Sequence, residues 1–258
     1  AGPGTGPLAA GEESGPGRML EPTEITEHAG RLLAAPQSRL DGLRVLITSG
    51  PTREPLDPVR YVGNRSSGKT GHALAAAAWR RGARVTLVTG PVPTDSPVGA
   101  EVVEVETARE MKEAVERHIG DADVVVFAAA VADYRPADPA GQKLKRSAAG
   151  PELTLTLTAN PDVAGDTRQA RRDGAVVVGF ALETQDLVEN ARTKLEAKGF
   201  DLIVANPADE KGAGFESDTN RVTLLSLGGD PEPLPVQTKD ALAEEILDRV
   251  EAMLDARP

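Results

Sequence analysis

Apolar and polar residues alternate in blocks along most of this chain, and the blocks have two different periods. Short runs rich in Val, Leu, Ile and Ala are bounded by glycine, proline or polar residues, a pattern typical of strands buried on both faces of a sheet. Longer segments between them carry apolar residues at helical spacing. The predicted strands are residues 45–48, 84–89, 101–106, 124–130, 175–180, 201–205 and 221–227.

The segments between these strands predict helices with recognisable ends. Thr107 is a good N-cap, and Glu110 three residues later completes a capping box. Gly82 is a good stop signal. Residues 133–150 predict a long polar loop, whereas the strict period of two at residues 152–158 predicts a half-exposed strand. The predicted helices are residues 21–35, 71–81, 107–119, 162–172, 184–198 and 239–254.

Repeated strand–helix–strand units predict an α/β fold, a Rossmann-like open, mostly parallel sheet with helices on both faces. Ligands of such sheets bind outside the carboxyl ends of the strands. The most unusual loops all follow predicted strands, after Thr48, Ala130, Phe180 and Ala205. These loops are therefore expected to share one rim of the sheet.

Composition and charge narrow the class of protein. The 258 residues are 40% hydrophobic but only 3% aromatic, so the core is predicted to be aliphatic. A formal net charge of −11 argues against nonspecific binding to nucleic acid or to an anionic membrane. No run is long enough to span a bilayer, and the start lacks a signal-peptide pattern. With no cysteine, thiolate metal sites and cysteine nucleophiles are excluded, and a cytoplasmic protein is expected.

A glycine-rich loop ahead of a predicted helix is the strongest local signal. Free N–H groups and the positive end of the helix dipole at such a place favour an anion, most plausibly phosphate. Residues 63–70, GNRSSGKT, fit the P-loop pattern letter for letter. However, twelve residues with three prolines separate Gly50 from Gly63, and Asp123 lies at the wrong end of its strand for a Walker B motif. The loop predicts phosphate binding without a P-loop NTPase fold.

Seven sequence motifs occur in one order along the chain, and together they cover about residues 41–255. The motifs are ITSGPTREPLDPVRY at 47–61, NRSSGK at 64–69, AAVADY at 129–134, KLK at 143–145, NPD at 160–162, VGF at 178–180 and FESDTN at 215–220. This set resembles bacterial, CTP-using phosphopantothenate–cysteine ligase, also called phosphopantothenoylcysteine synthetase. Residues 41–258 are therefore expected to form a CTP-dependent ligase domain.

The resemblance implies a two-step reaction in coenzyme A synthesis. The carboxylate of 4′-phosphopantothenate attacks the α-phosphorus of CTP and expels pyrophosphate, and the amine of cysteine then displaces CMP. Mg²⁺ is implied with the nucleotide, and so is a homodimer in which the loop of Lys143 lies near the partner subunit. Which subunit supplies Lys143 to a given site stays open.

The first 40 residues are expected to be a mobile tail and a linker. Residues 9–22 are similar to the end of the flavin-dependent phosphopantothenoylcysteine decarboxylase, which is fused ahead of the ligase in many bacteria. Ala10 occupies the place of that family's catalytic cysteine, so this chain is expected to have no decarboxylase activity.

The resemblance also assigns candidate site residues. Asn64 would hold the acyl phosphate, and Lys143 would neutralise phosphate charge as a point cation; both are the candidate catalytic residues. Arg60 and Ala130, with Asn64, are the candidate substrate contacts, and Asp133 is the candidate metal ligand. The candidate nucleotide contacts are Gly50, Ser66, Ser67, Gly68, Lys69, Phe127, Ala128, Ala129, Asp133, Lys143, Thr158, Ala159, Asn160, Pro161, Phe180, Lys194 and Lys198.

Each candidate also has a plain structural interpretation. Asn64 could be a turn residue, the serines a helix cap, and Lys143 and Lys198 ordinary surface lysines. Two alternative functions stay open: an NAD(P)-dependent oxidoreductase, although G-x-G-x-x-G is missing after the first strand, and a nucleotide sensor without turnover. Pyrophosphate release from CTP with phosphopantothenate would distinguish the ligase from both.

Overall fold

The computed structural model describes residues 2–7, 14–145, 152–183, 185–207 and 217–257. Its helices are α1 (Pro22–Ala34), α2 (Lys69–Arg80), α3 (Ala108–His118), α4 (Val163–Asp166), α5 (Leu187–Lys198) and α6 (Lys239–Asp255). Its strands are β1 (Gly4–Pro7), β2 (Ser14–Arg18), β3 (Arg44–Ser49), β4 (Arg53–Pro55), β5 (Tyr61–Gly63), β6 (Arg84–Thr89), β7 (Glu101–Glu104), β8 (Val124–Phe127), β9 (Tyr134–Pro136), β10 (Leu157–Ala159), β11 (Val176–Glu183), β12 (Leu202–Pro207), β13 (Thr219–Asn220), β14 (Thr223–Ser226), β15 (Glu232–Pro233) and β16 (Gln237–Thr238).

One eight-stranded sheet organises the domain, in the order β15-β14-β12-β11-β8-β3-β6-β7. The six strands from β12 to β7 are parallel, and β14 and β15 add an antiparallel edge. In chain order the parallel strands run 3-2-1-4-5-6, the doubly wound arrangement, whose direction of winding reverses between β3 and β8. The predicted fold class is confirmed, and this switch point is where such folds bind ligands.

Both faces of the sheet are covered by helices, and alternate residues of each strand supply the two halves of the core. Val45 and Ile47 of β3 belong to the cluster that contains residues of α2 and α6, such as Leu74 and Ile246. Leu46 belongs to the opposite cluster, with residues of α3 and α5. The predicted aliphatic core is therefore confirmed.

The strand predicted at residues 152–158 is largely wrong. Only β10 forms there, and it pairs antiparallel with β9 in a two-stranded arm separate from the main sheet. Leu153 and Leu155 are 47% and 40% exposed, so the alternation has no core to face. β9 itself lies within the stretch predicted as a loop, of which residues 146–150 lie outside the described residues.

The helix predicted at residues 162–172 is also wrong in its length. α4 is a single turn, followed by a 3-10 turn at Arg168–Ala170. The Thr167 hydroxyl donates to the carbonyl of Val163 at 2.6 Å, a bond that competes with continued helix. Arg171 turns inward and donates to the carbonyls of Lys198 and Gly199, both at 2.9 Å. Tertiary hydrogen bonds thus replace the predicted helical ones.

The predicted N-terminal helix is confirmed as α1, and it lies against the end of α2. The Arg31 guanidinium donates to the carbonyl of Gly82 at 2.9 Å and stacks over Trp79 with 4.9 Å to the ring centroid. Cations are favoured at helix C-termini, so this contact fits the end of α2. Among the described residues, no helix has the length and apolarity needed to cross a bilayer. The mobility of residues 1–17 stays a prediction.

Candidate functional site

A cavity of about 500 Å³ opens at the carboxyl ends of the central strands. Residues of four chain segments meet on its wall, namely Thr48 at the end of β3, the loop after β8, Phe180 of β11 and Asn206 of β12. The predicted convergence of the loops on one rim is confirmed. Ala130 N–H donates to the carbonyl of Gly50 at 2.8 Å, so the loops after β3 and β8 lie side by side at the switch point.

The glycine loop enters the cavity at the start of α2. Gly68 is the N-cap residue with φ = +72°, a left-handed conformation that favours glycine. The Ser49 hydroxyl donates to the Gly68 carbonyl at 3.0 Å, and Nδ1 of His72 lies 3.1 Å from that oxygen. Burial lowers the pKa of His72, and the bond to Gly68 opposes that shift only in part. A neutral histidine and a serine thus hold the loop from beneath.

Asn64 reaches the cavity from the end of the β4–β5 hairpin. Its amide nitrogen donates to the carbonyls of Ala130 and Val131, both at 3.1 Å. The side chain therefore ties the glycine loop to the loop after β8. A ligand group that accepts from Asn64 would exchange with these two carbonyls.

Asn160 closes the loop after β8 from the other side. Its side-chain nitrogen donates to the Ala132 carbonyl at 2.7 Å, and its backbone N–H donates to the Asp133 carbonyl at 2.8 Å. Asp133 is itself exposed and lines the cavity. The side chain of Asn160 thus fixes the backbone on which Asp133 is carried.

The wall of the cavity carries more positive than negative charge. Four lysines and two aspartates line it among the described residues, in a protein of net charge −11. Such a pocket favours an anionic ligand. The charged residues are Lys69, Lys194, Lys198, Lys239, Asp133 and Asp162.

Three of these lysines are held by carboxylates. Lys198 Nζ lies 2.9 Å from Asp162, Lys69 Nζ lies 2.5 Å from Asp218, and Lys194 lies 3.6 Å from Glu183. Burial alone would raise the pKa of Asp162, but the bond from Lys198 and others outweigh it and hold that pKa below its usual value.

Most of the predicted site residues share this cavity. The predicted residues on its wall are Asn64, Ser66, Ser67, Gly68, Lys69, Phe127, Ala128, Ala129, Ala130, Asp133, Asn160, Pro161, Phe180, Lys194 and Lys198. Five lie elsewhere: Gly50, Arg60, Lys143, Thr158 and Ala159 are absent from the lining. The ligand contacts of all these residues stay predictions.

Arg60 and Lys143 lie together outside the cavity, around a buried carboxylate that the sequence did not single out. Asp57 has a fully buried side chain and is paired with Arg60. It accepts from the N–H of Leu144 at 3.1 Å, while Arg60 donates to the Leu144 carbonyl at 2.7 Å. The Arg60 guanidinium holds the pKa of Asp57 well below its usual range. Asp57 therefore fixes the backbone next to Lys143.

Sequence reasoning also missed residues on the cavity wall itself. Lys239, the first residue of α6, lines the cavity although it is only 6% exposed. Asn206 lines it too, and its Oδ1 is buried without a hydrogen-bond partner in the described part of the chain. A ligand with a hydrogen-bond donor would satisfy that atom. A lysine at the positive end of a helix dipole is unfavourable. The position of Lys239 at a predicted helix start is therefore the feature of the sequence that could have singled it out.

The described residues contain no group of three or more side chains that could hold a metal ion. Of the two aspartates on the cavity wall, Asp162 is paired with Lys198, and Asp133 is the predicted metal ligand. That donor set fits Mg²⁺ carried by a nucleotide, which commonly takes one or two carboxylates together with substrate phosphates.

Comparison with known proteins identifies the family of this domain. Residues 40–254 match the family described as DNA/pantothenate metabolism flavoprotein C-terminal domain. The chain belongs to this family. A curated relative from Vibrio vulnificus (strain YJ016), the coenzyme A biosynthesis bifunctional protein CoaBC, is 44% identical over 98% of this chain. The CoaBC protein of Escherichia coli (strain K12) is 44% identical over 99% of it.

A solved structure in this flavoprotein C-terminal family has the same fold. It is described as the C-terminal domain of coenzyme A biosynthesis bifunctional protein CoaBC, with a TM-score of 0.71 and 38% identity, over 84% of this chain and 98% of that one. The chain spans 62% and 63% of the length of the Vibrio and Escherichia relatives. The resemblance stated from the seven motifs is confirmed at the level of the family.

Proposed function

We propose that this domain is a phosphopantothenate–cysteine ligase that uses CTP, in coenzyme A biosynthesis. The observation that carries the proposal is the lysine-rich cavity wall on which the glycine loop, Asn64, Asn160 and Lys198 meet at the switch point of the sheet. The names of the CoaBC relatives support the same pathway. In the proposed reaction CTP and 4′-phosphopantothenate give an acyl-cytidylate and pyrophosphate, and cysteine then gives 4′-phosphopantothenoylcysteine and CMP.

The chain's own groups suit a reaction in which negative charge develops on oxygen atoms. The N–H groups at the start of α2 and Lys69 would receive phosphate oxygens, and Lys194 and Lys198 would neutralise the triphosphate. Asn64 would donate to the acyl phosphate once its amide gives up a bond to the carbonyl of Ala130 or Val131. Because pyrophosphate and CMP are good leaving groups, positioned donors are expected to matter more than a strong general base.

Mg²⁺ is proposed to enter with the nucleotide, and it would neutralise phosphate charge when bound. Asp133 would hold it from the protein side. Its backbone is positioned for this by the bond from Asn160 N–H to the Asp133 carbonyl at 2.8 Å.

A homodimer is proposed to complete the site. Lys143 does not line the cavity of its own chain. It lies between the two strands of the β9–β10 arm, where Leu153 and Leu155 ahead of β10 and Leu157 at its start are between 40% and 47% exposed. Contiguous exposed leucines are typical of protein–protein interfaces. We propose that two arms pack together and that each delivers Lys143 to the cavity of the partner.

The proposed activity is tested by a nucleotide panel. Wild-type protein with 4′-phosphopantothenate and Mg²⁺ is expected to release pyrophosphate with CTP and much less with ATP, and to form CMP stoichiometrically when cysteine is added. Binding of CTP with no pyrophosphate would favour the nucleotide sensor. A change in NAD(P)H fluorescence on binding, with no CTP chemistry, would favour the oxidoreductase.

Asn64→Asp tests the assigned role of Asn64. A carboxylate beside the acyl phosphate would repel it, so turnover is expected to fall by roughly 100-fold or more. The lost bonds to the Ala130 and Val131 carbonyls are expected to lower the unfolding temperature modestly while the domain stays folded. Gln169→Glu, an exposed amide-to-carboxylate change in the 3-10 turn at Arg168–Ala170 and outside the cavity wall, is the matched control. Wild-type turnover in Asn64→Asp would remove Asn64 from the mechanism.

Mixing two inactive variants tests the exchange of Lys143 between subunits. Asn64→Asp and Lys143→Gln are each expected to be impaired, and co-refolded mixtures are expected to regain activity because a heterodimer contains one intact site. Mixtures that stay as inactive as the single variants, at a measured dimer mass, would assign Lys143 to its own subunit.

Fusion with a decarboxylase half and a cytoplasmic location stay predictions.

A further inference from the structure

Arg171 lies behind the cavity wall and bridges two elements of that wall. Its guanidinium donates to the carbonyls of Lys198 and Gly199 at the end of α5, both at 2.9 Å, and to the carbonyl of Ala164 in α4 at 2.6 Å. Lys198 and Ala164 line the cavity, whereas Arg171 does not. One side chain thus fixes the backbone of two wall segments relative to each other.

The same two elements are joined a second time, on the cavity side. Asp162 is the N-cap residue of α4, and its carboxylate lies 2.9 Å from Lys198 Nζ. Arg171 therefore holds the main chain of Lys198, and Asp162 holds its ammonium group. The position of that ammonium in the wall depends on both contacts.

Two phenylalanines of the wall pack against the Arg171 guanidinium. Its central carbon lies 5.5 Å from the ring centroid of Phe127 and 5.7 Å from that of Phe200, and both rings line the cavity. A planar guanidinium can contact aromatic faces while it donates several hydrogen bonds in a fixed geometry. The shorter ammonium group of a lysine could not make both ring contacts and all three carbonyl bonds.

Holding a guanidinium in this place costs free energy. In the described part of the chain no carboxylate forms an ion pair with Arg171, and its Nε is buried without a hydrogen-bond partner. Burial is the main cause that lowers the pKa of Arg171, and the positive charge of Arg168 adds to that shift. Buried charges in proteins are normally paired. An unpaired cation next to a cavity favours a role in the site over a role in packing alone.

We propose that Arg171 is a positioning residue, which holds Lys198 where its ammonium group meets the anionic part of the ligand. This inference rests on the proposed ligase function, in which Lys198 receives oxygens of the CTP triphosphate. Because Arg171 does not line the cavity, it acts through the Lys198 carbonyl and through α4, which carries Asp162. Loss of these bonds lets the end of α5 move and separates Lys198 from both Asp162 and the phosphate.

Arg171→Met tests this role, with Arg31→Met as the matched control. Arg31 also donates to a carbonyl at a helix end, that of Gly82 at 2.9 Å, and also stacks on an aromatic ring, that of Trp79, but it lies outside the cavity lining. Both variants are expected to lower the unfolding temperature by several degrees. Only Arg171→Met is expected to weaken CTP binding in calorimetric titrations, by roughly fivefold to twentyfold, which is part of the effect of losing one charge-assisted hydrogen bond.

Three further measurements separate positioning from the other effects of Arg171. Added to Lys198→Met, Arg171→Met is expected to cause little further loss of CTP affinity, because both changes remove the same contact. In the ligand-free protein, Arg171→Met is expected to raise the pKa of Asp162 in an NMR titration, because burial favours the neutral acid and a weakened bond from Lys198 opposes it less. Arg171→Lys keeps the charge without the full set of bonds, so it is expected to bind CTP more weakly than wild type. The lysine variant also carries the test if the methionine variant does not fold.

The overturning results are separate for the two proposals. Wild-type CTP affinity in Arg171→Met or Arg171→Lys, an equal loss of affinity in Arg31→Met, or an unchanged pKa of Asp162 would overturn the positioning role alone. Additive losses with Lys198→Met would assign the effect to the charge of Arg171 and would also overturn that role. A wild-type chain that binds CTP but releases no pyrophosphate would overturn the ligase function and leave the positioning role intact. A wild-type chain that does not bind CTP would overturn both.

Discussion

Gly71→Ala is expected to displace the phosphate loop, because α2 packs directly on β3 at this residue. A Cβ added at Gly71 would lie 2.5 Å from Cβ and 3.1 Å from Cα of Ser49, and closer still to the Ser49 hydroxyl. Carbon atoms in ordinary contact are about 3.5–4.0 Å apart. The start of α2 must therefore move by about 1 Å, and it carries Gly68 and Lys69 with it.

Two opposing effects determine how much Gly71→Ala changes the free energy of unfolding. Replacing glycine by alanine inside a helix stabilises it by about 1 kcal/mol, and overpacking a tight contact costs about 1–3 kcal/mol. The obstructing atoms belong to a central strand, where they cannot rotate away, so a cost toward the upper end is expected. The net loss is about 1–2 kcal/mol, or about 2–8 °C in Tm for a domain of this size.

The effect on binding should exceed the effect on stability. A shift of about 1 Å lengthens the hydrogen bonds from the start of α2 to a phosphate beyond useful range, so CTP affinity is expected to fall roughly tenfold to a hundredfold. Thermal unfolding and CTP titration measure the two effects. Gly120→Ala is the control, because its Cβ would meet nothing nearer than the Ala170 carbonyl oxygen at 3.6 Å.

A second substitution tests the steric cause. Ser49→Gly removes both the Cβ and the hydroxyl that a methyl group at position 71 would strike. Combined with Gly71→Ala it is expected to recover part of the lost stability and affinity, with a coupling of about 1 kcal/mol in a double-mutant cycle. Additive losses, or a Gly71→Ala protein that binds CTP as tightly as wild type, would refute this account of the contact.

Two further perturbations follow from contacts away from the cavity. Asp57→Asn is expected to slow turnover by loosening the backbone of Leu144. In steady-state kinetics it is expected to add nothing further to the effect of Lys143→Gln. Because Arg60 depresses the pKa of Asp57, the stability that the ionised Asp57 carboxylate contributes is present above about pH 4 and is lost only in stronger acid. Arg31→Met is expected to lower the unfolding free energy by about 1–3 kcal/mol through lost bonds to carbonyls at the end of α2, whereas Leu32→Ser, 79% exposed, should leave the melting curve unchanged.

The sequence predicts the main sheet well because buried parallel strands have an unmistakable pattern. The apolar run at 84–89 and the capping box at Thr107 and Glu110 appear in the structure as predicted. The pattern fails at residues 152–158, where alternation predicts a half-buried strand and no core is present to bury it. Periodicity reports which residues can share a face, but only tertiary structure supplies something for that face to pack on.

The site residues also fall into those that the sequence predicts and those that it misses. Residues in continuous motifs, such as Ser66 and Asn160, were found from the sequence and lie on the cavity wall. Lys239 and Asp57 were missed because their importance comes from burial and from partners distant in the chain. A short sequence window cannot distinguish a buried lysine at a helix start from an exposed one.

The carboxylates that hold the cavity lysines explain how so acidic a protein can keep a cationic pocket. Lys69, Lys194 and Lys198 each lie within 4 Å of an aspartate or glutamate. Without a ligand these acids limit repulsion among the lysines and hold their side chains near the wall. When a phosphate binds, each lysine exchanges its carboxylate partner for a phosphate oxygen. Each lysine therefore adds less to the affinity for phosphate than an unpaired cation would. The exchange favours ligands with several closely spaced anionic oxygens, since a single carboxylate on the ligand would gain little over the one already present. A triphosphate satisfies that condition, and removal of Asp162 or Asp218 is therefore expected to improve the binding of weaker anions more than that of CTP.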